Sequence, residues 1–181
     1  MTKKIFAYLA KPDGYFAVFN QCDNGSYQFG FTEKIPESMN HNIKVKDLAK
    51  TIWESREPED ILECVMVRPD WRHTDTLKTI TRVSYNVATI QAANDFIGFT
   101  RTWWINKPKI WQAYFNLLEV LPKAKGDMKE AALLKLKEIM PDTKVENGLE
   151  AEAVLIGIYG IYNLLNTTVR GIKDGIRANE Q

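Results

Sequence analysis

The stretch Lys4-Ile5-Phe6-Ala7-Tyr8-Leu9-Ala10-Lys11-Pro12-Asp13-Gly14-Tyr15-Phe16-Ala17-Val18-Phe19-Asn20-Gln21-Cys22-Asp23-Asn24-Gly25-Ser26-Tyr27-Gln28-Phe29-Gly30-Phe31-Thr32-Glu33 decides the fold. Three apolar or aromatic runs, Lys4 to Ala10, Tyr15 to Asn20 and Ser26 to Glu33, are strand-like. The last alternates Tyr27, Phe29 and Phe31 with smaller or polar residues. Pro12-Asp13-Gly14 and Asp23-Asn24-Gly25 lie between the runs. Proline presets a turn dihedral, glycine supplies positive φ and Asp or Asn bonds its own backbone, so each triplet reverses the chain. The stretch therefore predicts a three-stranded antiparallel meander.

Outward from the meander, 36–42 is a loop. Residues 44–56 then place Val45, Leu48, Ala49, Ile52 and Trp53 on one helical face, which is expected to cover the sheet. After Pro58, the dense apolar run Ile61 to Val67 ends at Arg68-Pro69, as a strand buried on both faces would. Helical spacing returns over 74–97, with Leu77, Ile80, Val83, Tyr85, Val87, Ile90, Ala93 and Ile97 as the apolar surface and Gly98 as the stop. A short aromatic strand follows over 100–105. Three helices are then expected, from Pro108 through Leu118, over 127–140, and from Leu149 onward. Strands followed by alternating helices and strands imply an α/β fold, a mixed sheet with helices on its faces.

The chain has 181 residues, 45% of them hydrophobic, enough for one domain with a substantial core. A formal net charge of +1, from 24 Lys+Arg against 23 Asp+Glu, neither demands nor excludes a polyanionic partner, so local patches must carry that argument. Cys22 and Cys64 have no metal-like or redox-like spacing and fit a reducing compartment. The apolar run from Ala153 is interrupted by glycines and Asn163 and is too short for a bilayer, and the start lacks a signal peptide, so a cytoplasmic protein without a membrane partner is expected. His41 and His73 have no zinc-like neighbours in sequence. Neither a Walker pattern nor a strand-linked G-x-G-x-x-G occurs, which disfavours nucleotide hydrolysis.

The second informative segment is Val145-Glu146-Asn147-Gly148-Leu149-Glu150-Ala151-Glu152-Ala153-Val154-Leu155-Ile156-Gly157-Ile158-Tyr159-Gly160, which sets two acids at the mouth of an otherwise apolar helix. Charge there needs a divalent metal, a basic side chain or water. Residues two apart on a helix point roughly 200° apart, so Glu150 and Glu152 cannot face one ion unless the helix start is distorted. Otherwise they are favourable first-turn charges.

This order of elements resembles the RuvC-like Holliday-junction resolvases of the ribonuclease H-like superfamily. The resemblance rests on Val65-Met66-Val67-Arg68-Pro69, Trp103-Trp104-Ile105-Asn106-Lys107-Pro108-Lys109-Ile110-Trp111, Lys125-Gly126-Asp127-Met128-Lys129-Glu130 and Gly148-Leu149-Glu150-Ala151-Glu152-Ala153. It implies one RuvC-like domain over 1–169, a polar tail over 170–181, and a ribonuclease H-like mixed sheet with helices on both faces. It also implies two-metal phosphodiester hydrolysis by acids from the first strand, the central strand and the final helix. The chain departs from that pattern twice. Lys11 or Ala10 stands where the first-strand acid is expected, with Asp13 only in the following turn, and Val67-Arg68 occupies the central-strand position. Lysine and arginine carry only donors and cannot ligate Mg²⁺.

Two site assignments follow. In a degenerate centre marked by Lys11, Val67 and Arg68, no cofactor is needed, and Lys11 or Arg68 pairs with Glu150 or Glu152 in the ions' place; the alternative is that both cations reach outward into water. In an active centre, Asp13, Glu63, Glu150 and Glu152 are catalytic, with Glu150 and Glu152 ligating Mg²⁺ or Mn²⁺. Asp13 also reads as a turn residue, Glu63 as a strand residue facing a basic partner, and Asp70 as the cap of the helix beginning near Thr74. Lys107, Lys109, Lys125 and Lys129 are the candidate nucleic-acid contacts, while the tryptophans beside them read as packing. The expected function is binding of branched DNA, or of a host protein, by a homodimer with impaired or absent nuclease activity. The alternatives are an active metal-dependent junction endonuclease and an inhibitory interaction module.

Overall fold

A computed structural model of the protein describes residues 2–11, 13–38, 40–70 and 76–172. The opening meander is β1 (Lys3–Tyr8), β2 (Tyr15–Gln21) and β3 (Tyr27–Lys34), antiparallel throughout. Its second turn works as its residues dictate. Gly25 takes φ 79°, and the Asn24 carboxamide accepts from the Ser26 hydroxyl at 2.6 Å and the Ser26 amide at 3.2 Å. Two further strands, β4 (Ile61–Val67) and β5 (Arg101–Ile105), run parallel to β1 and complete a five-stranded sheet in the order β3-β2-β1-β4-β5.

Period-two alternation divides β1 between two cores. Ile5, Ala7 and Leu9 join the cluster beneath α5 (Met128–Ile139) and α6 (Gly148–Asn163). Phe6 and Tyr8 join the cluster beneath α1 (His41–Glu54) and α2 (Leu77–Ile97). The short helices α3 (Pro108–Tyr114) and α4 (Leu117–Val120) link β5 to α5 and plug Trp111, Phe115 and Leu117 into the first core. Helices thus lie on both faces of a mixed sheet, as the element order implied.

Helix α6 is apolar around its circumference, as a helix buried between layers must be, and residues 150–158 are all buried. Two glycines let it approach the sheet. A Cβ at Gly157 would overlap the Phe19 ring of β2, and one at Gly160 would stand 2.6 Å from Val65 Cγ2 of β4.

Several local expectations need correction. Helix α2 starts at Leu77 and its cap is Thr76, whose hydroxyl accepts from the Thr79 amide at 3.2 Å; Asp70, assigned that role from the sequence, is exposed in the preceding segment. The expected helix start at Thr74, and His73, lie outside the described residues. Helix α1 starts at His41 instead of Lys44, because the Asn40 side chain accepts from the amides of Asn42 and Ile43. Trp53, placed on the covering face of α1, is 59% exposed and stacks under the Arg56 guanidinium at 3.9 Å, since one residue past Ile52 is 100° off that face. Leu77 of α2 is likewise exposed, and the stripe that α2 buries is partly polar: Asn86, Thr89 and Asn94 beside Ile90 and Ala93. Asn94 accepts from the Tyr8 hydroxyl at 2.9 Å and donates to Cys64 Sγ at 3.3 Å. Burial raises the Cys64 thiol pKa to about 11. The helix expected from Pro108 through Leu118 is broken by Asn116 at φ 51°.

At the sheet edge the Tyr27 amide donates to Thr168 O and the Arg170 amide donates to Tyr27 O, both at 2.7 Å, so the chain after α6 pairs with the first residue of β3. The remainder of the polar tail, 173–181, lies outside the described residues. Gly157→Leu is expected to cost about 1–3 kcal/mol by overpacking against Phe19, read as a lower urea midpoint at unchanged m-value.

Candidate functional site

Where β1 ends, the chain turns back into β2, and the Leu9 amide closes the turn on Tyr15 O at 2.9 Å. Lys11 sits in this turn. Its backbone carbonyl accepts from the Asn86 carboxamide of α2, on one side of the sheet. Its ammonium reaches the other side and meets Glu152 Oε2 of α6 at 2.5 Å. The Glu152 side chain is 0% exposed and that of Lys11 is 43% exposed, so the pair joins a buried charge to one at the water boundary. Oε1 of Glu152 makes no hydrogen bond among the described residues.

Glu150 points elsewhere, as the angular offset of residues two apart requires. Asn147 caps α6, accepting from the amides of Leu149 and Glu150. Glu150 reaches back to accept from the Glu146 amide at 3.0 Å and from Asn147 Nδ2 at 2.7 Å. Both of its oxygens are thereby engaged within a local capping arrangement.

The other acids named from the sequence are scattered. Glu63 lies on β4 opposite Ile5 of β1, roughly 10 Å along the strand from the end of β1 at Tyr8, at about 3.3 Å per residue. It pairs with Lys3 at 2.9 Å and accepts from Trp103 Nε1 at 2.7 Å. Asp13 is exposed and lines a cleft against α1 and α2. Val67 packs against the α6-side core. Arg68 is exposed, with its guanidinium 5.7 Å from the Trp104 ring and its amide on Ile105 O, so it does not join Glu152. Among the described residues no three His, Cys, Asp or Glu side chains are grouped to hold a metal ion. The two acids of α6 do not fit a two-ion centre as they stand. One oxygen of Glu152 is taken by an ammonium, and both oxygens of Glu150 are committed to the helix start.

The candidate DNA contacts share that end of the molecule. Lys107 and Lys109 follow directly on the end of β5, and both are exposed. Lys125, at φ 52°, and Lys129 lead into α5 and are also exposed; the Lys129 backbone presses against Gly148 at the mouth of α6. Of the tryptophans, Trp111 is core, while Trp103 is half-buried beneath the Arg101 guanidinium at 3.8 Å.

Sequence reasoning missed Lys44 and Asn86. Lys44 is 5% exposed and donates to Asn86 Oδ1 at 2.7 Å, which joins it through Asn86 to the Lys11 carbonyl. No periodicity signals a contact between residues so far apart on two helices. His41 is half-buried edge-on to Tyr85 at 5.2 Å, with Nδ1 3.3 Å from the Thr89 hydroxyl.

No protein-family model matches the chain, and no curated protein matches it by sequence. Solved structures do match it. Thermus thermophilus RuvC in complex with a Holliday junction substrate superposes with a TM-score of 0.59 at 11% identity, covering 91% of this chain and 97% of that one. A second T. thermophilus RuvC structure gives 0.50 at 12% identity with the same coverage. At such identity the likeness is one of architecture, and with the mixed sheet, the closing helix over β1 and the helices on both faces it shows that this chain has the RuvC-like, ribonuclease H-like fold.

Proposed function

We propose that the protein binds branched DNA at the end of the sheet where Lys11, Lys107 and the mouth of α6 meet, and that an ion pair stands where a nuclease of this fold would hold its metal. The observation that carries this reading is the Lys11 ammonium on Glu152 Oε2 at 2.5 Å. A cation there pairs one oxygen of the buried carboxylate of the closing helix without an ion, and no group of three His, Cys, Asp or Glu among the described residues is set to hold a metal. Exposed Lys107, Lys109, Lys125 and Lys129 supply sequence-independent phosphate contacts. No helix among the described residues is long and apolar enough to cross a membrane.

The competing reading, an active Mg²⁺- or Mn²⁺-dependent junction endonuclease, draws on one observation, the unpartnered Oε1 of Glu152. It requires Lys11 to leave the pair and another acid to approach. Incubating the protein with a synthetic four-way junction and matched duplex, with and without Mg²⁺ or Mn²⁺, separates the two. Retention of the junction without nicking is expected. Divalent-dependent symmetric nicking that disappears in Glu152→Ala sinks the binding-only reading.

Two further outcomes are expected. Replacing Lys107, Lys109, Lys125 and Lys129 together by Gln should weaken junction binding and reduce the slope of log affinity against log salt by about 3 to 4, at about 0.9 per lost phosphate contact; an unchanged slope moves the interface elsewhere. Lys11→Met should lower stability by about 1–3 kcal/mol, below the cost of breaking a fully buried pair because one partner is half in water. The double change Lys11→Met with Glu152→Gln should recover most of that loss in urea unfolding, whereas strict additivity would show that the two side chains do not interact.

A further inference from the structure

On the opposite side of β1 from Glu152, the first turn of α1, the middle of α2 and the β1–β2 turn enclose a cleft of about 610 Å³. Asp13, Glu37, Lys44, Arg82, Tyr85 and Asn86 are among its lining. We propose that this cleft is a binding subsite for a phosphate group, held by Lys44 and Arg82.

Lys44 supplies the first argument. Its residue is 95% buried in effect, with 5% of its surface exposed, yet no carboxylate stands within ion-pair distance among the described residues. An ammonium has three N–H donors. One goes to Asn86 Oδ1 at 2.7 Å, and the face of the Tyr85 ring lies 5.3 Å away. Asn86 is itself pinned, because its amide nitrogen donates to the Lys11 carbonyl, so its oxygen must point at Lys44. The other two ammonium donors have no acceptor among the described residues. Burial lowers the Lys44 pKa, and Glu37 opposes that shift only in part. A bound anion would remove the mismatch between a buried cation and its neutral surroundings.

The rest of the lining points the same way. The Tyr85 ring closes one side of the Lys44 ammonium, while its hydroxyl is turned away from solvent and makes no hydrogen bond among the described residues. Arg82 stands one helical turn before Tyr85 and Asn86, on the same face of α2, and makes no ion pair among those residues. The nearby acid Glu37 is already engaged by Lys34, and Asp13 is exposed. Lys44 and Arg82 therefore present a point charge and a planar fork to one space. That pairing suits the several oxygens of a phosphate. A nucleic-acid backbone and a free phosphate-bearing small molecule share this chemistry. The inference does not depend on junction binding, since the cleft and the Lys11–Glu152 pair lie on opposite faces of the sheet.

The test titrates inorganic phosphate into the full-length protein by calorimetry, and measures four-way junction affinity alongside. Wild type, Lys44→Met and Arg82→Gln are compared, with folding checked by circular dichroism. Saturable phosphate binding weakened at least tenfold in Lys44→Met is expected. A parallel loss of junction affinity identifies backbone phosphate as the source, whereas unchanged junction affinity identifies a free phosphate compound; both support the subsite. Absence of saturable phosphate binding by wild type, or binding equally strong in Lys44→Met, overturns it. If Lys44→Met does not fold, Arg82→Gln decides by the same criterion. Failure of wild type to retain the junction would count against the proposed function alone.

Discussion

The close seating of α6 on the sheet constrains everything around it. The helix reaches β2 and β4 without a side chain between them at Gly157 and Gly160, and it is buried from Glu150 to Ile158. A helix so enclosed leaves its own polar groups no access to water, yet this one carries two carboxylates in its first two turns. Each is satisfied differently. Glu150 is answered by backbone and side-chain donors of the segment that enters the helix, which makes it part of the cap. Glu152 faces the sheet and is answered by a cation carried on a different element, so the β1–β2 turn must deliver Lys11 to one place.

That demand ties the two faces of the sheet together. On the α6 side the core is largely apolar, and its buried charges are the carboxylates Glu63, Glu150 and Glu152. On the α1 and α2 side it contains a set of polar groups, Tyr8 with Asn94 and Cys64, and Lys44 with Asn86. Such groups bond in only one register, so they hold α2 in place where its narrow apolar stripe alone would let it slide. Asn86 grips the Lys11 carbonyl from this side while the Lys11 ammonium grips Glu152 on the other, so one residue transmits position between the layers.

How much of this was legible depended on how local each cause is. The meander could be read because Asp23-Asn24-Gly25 and the alternation of Tyr27, Phe29 and Phe31 are decided by dihedral chemistry and a period of two. The divergence of Glu150 and Glu152 was also legible, because helical geometry alone sends them to different sides. Which donor each would meet was not, apart from the proposal that a strand-end cation meets an acid of the closing helix; the contact that forms is Lys11 with Glu152, while Arg68 stays outside. Helix starts shifted where a short side chain outcompeted the hydrophobic pattern, as with Asn40 and Thr76. The Lys3 and Trp103 partners of Glu63 and the burial of Lys44 were invisible, because they arise from pairs brought together only by the finished sheet and helices.

The position of α6 also orders the events of synthesis. β1 and β2 leave the ribosome well before the helix that seals Ala7 and Phe19 from water, which is made from residues 148–163. Chains emerge N-terminus first at about 5–20 residues per second. The residues that cover the inner face of the meander therefore follow it by several seconds of translation.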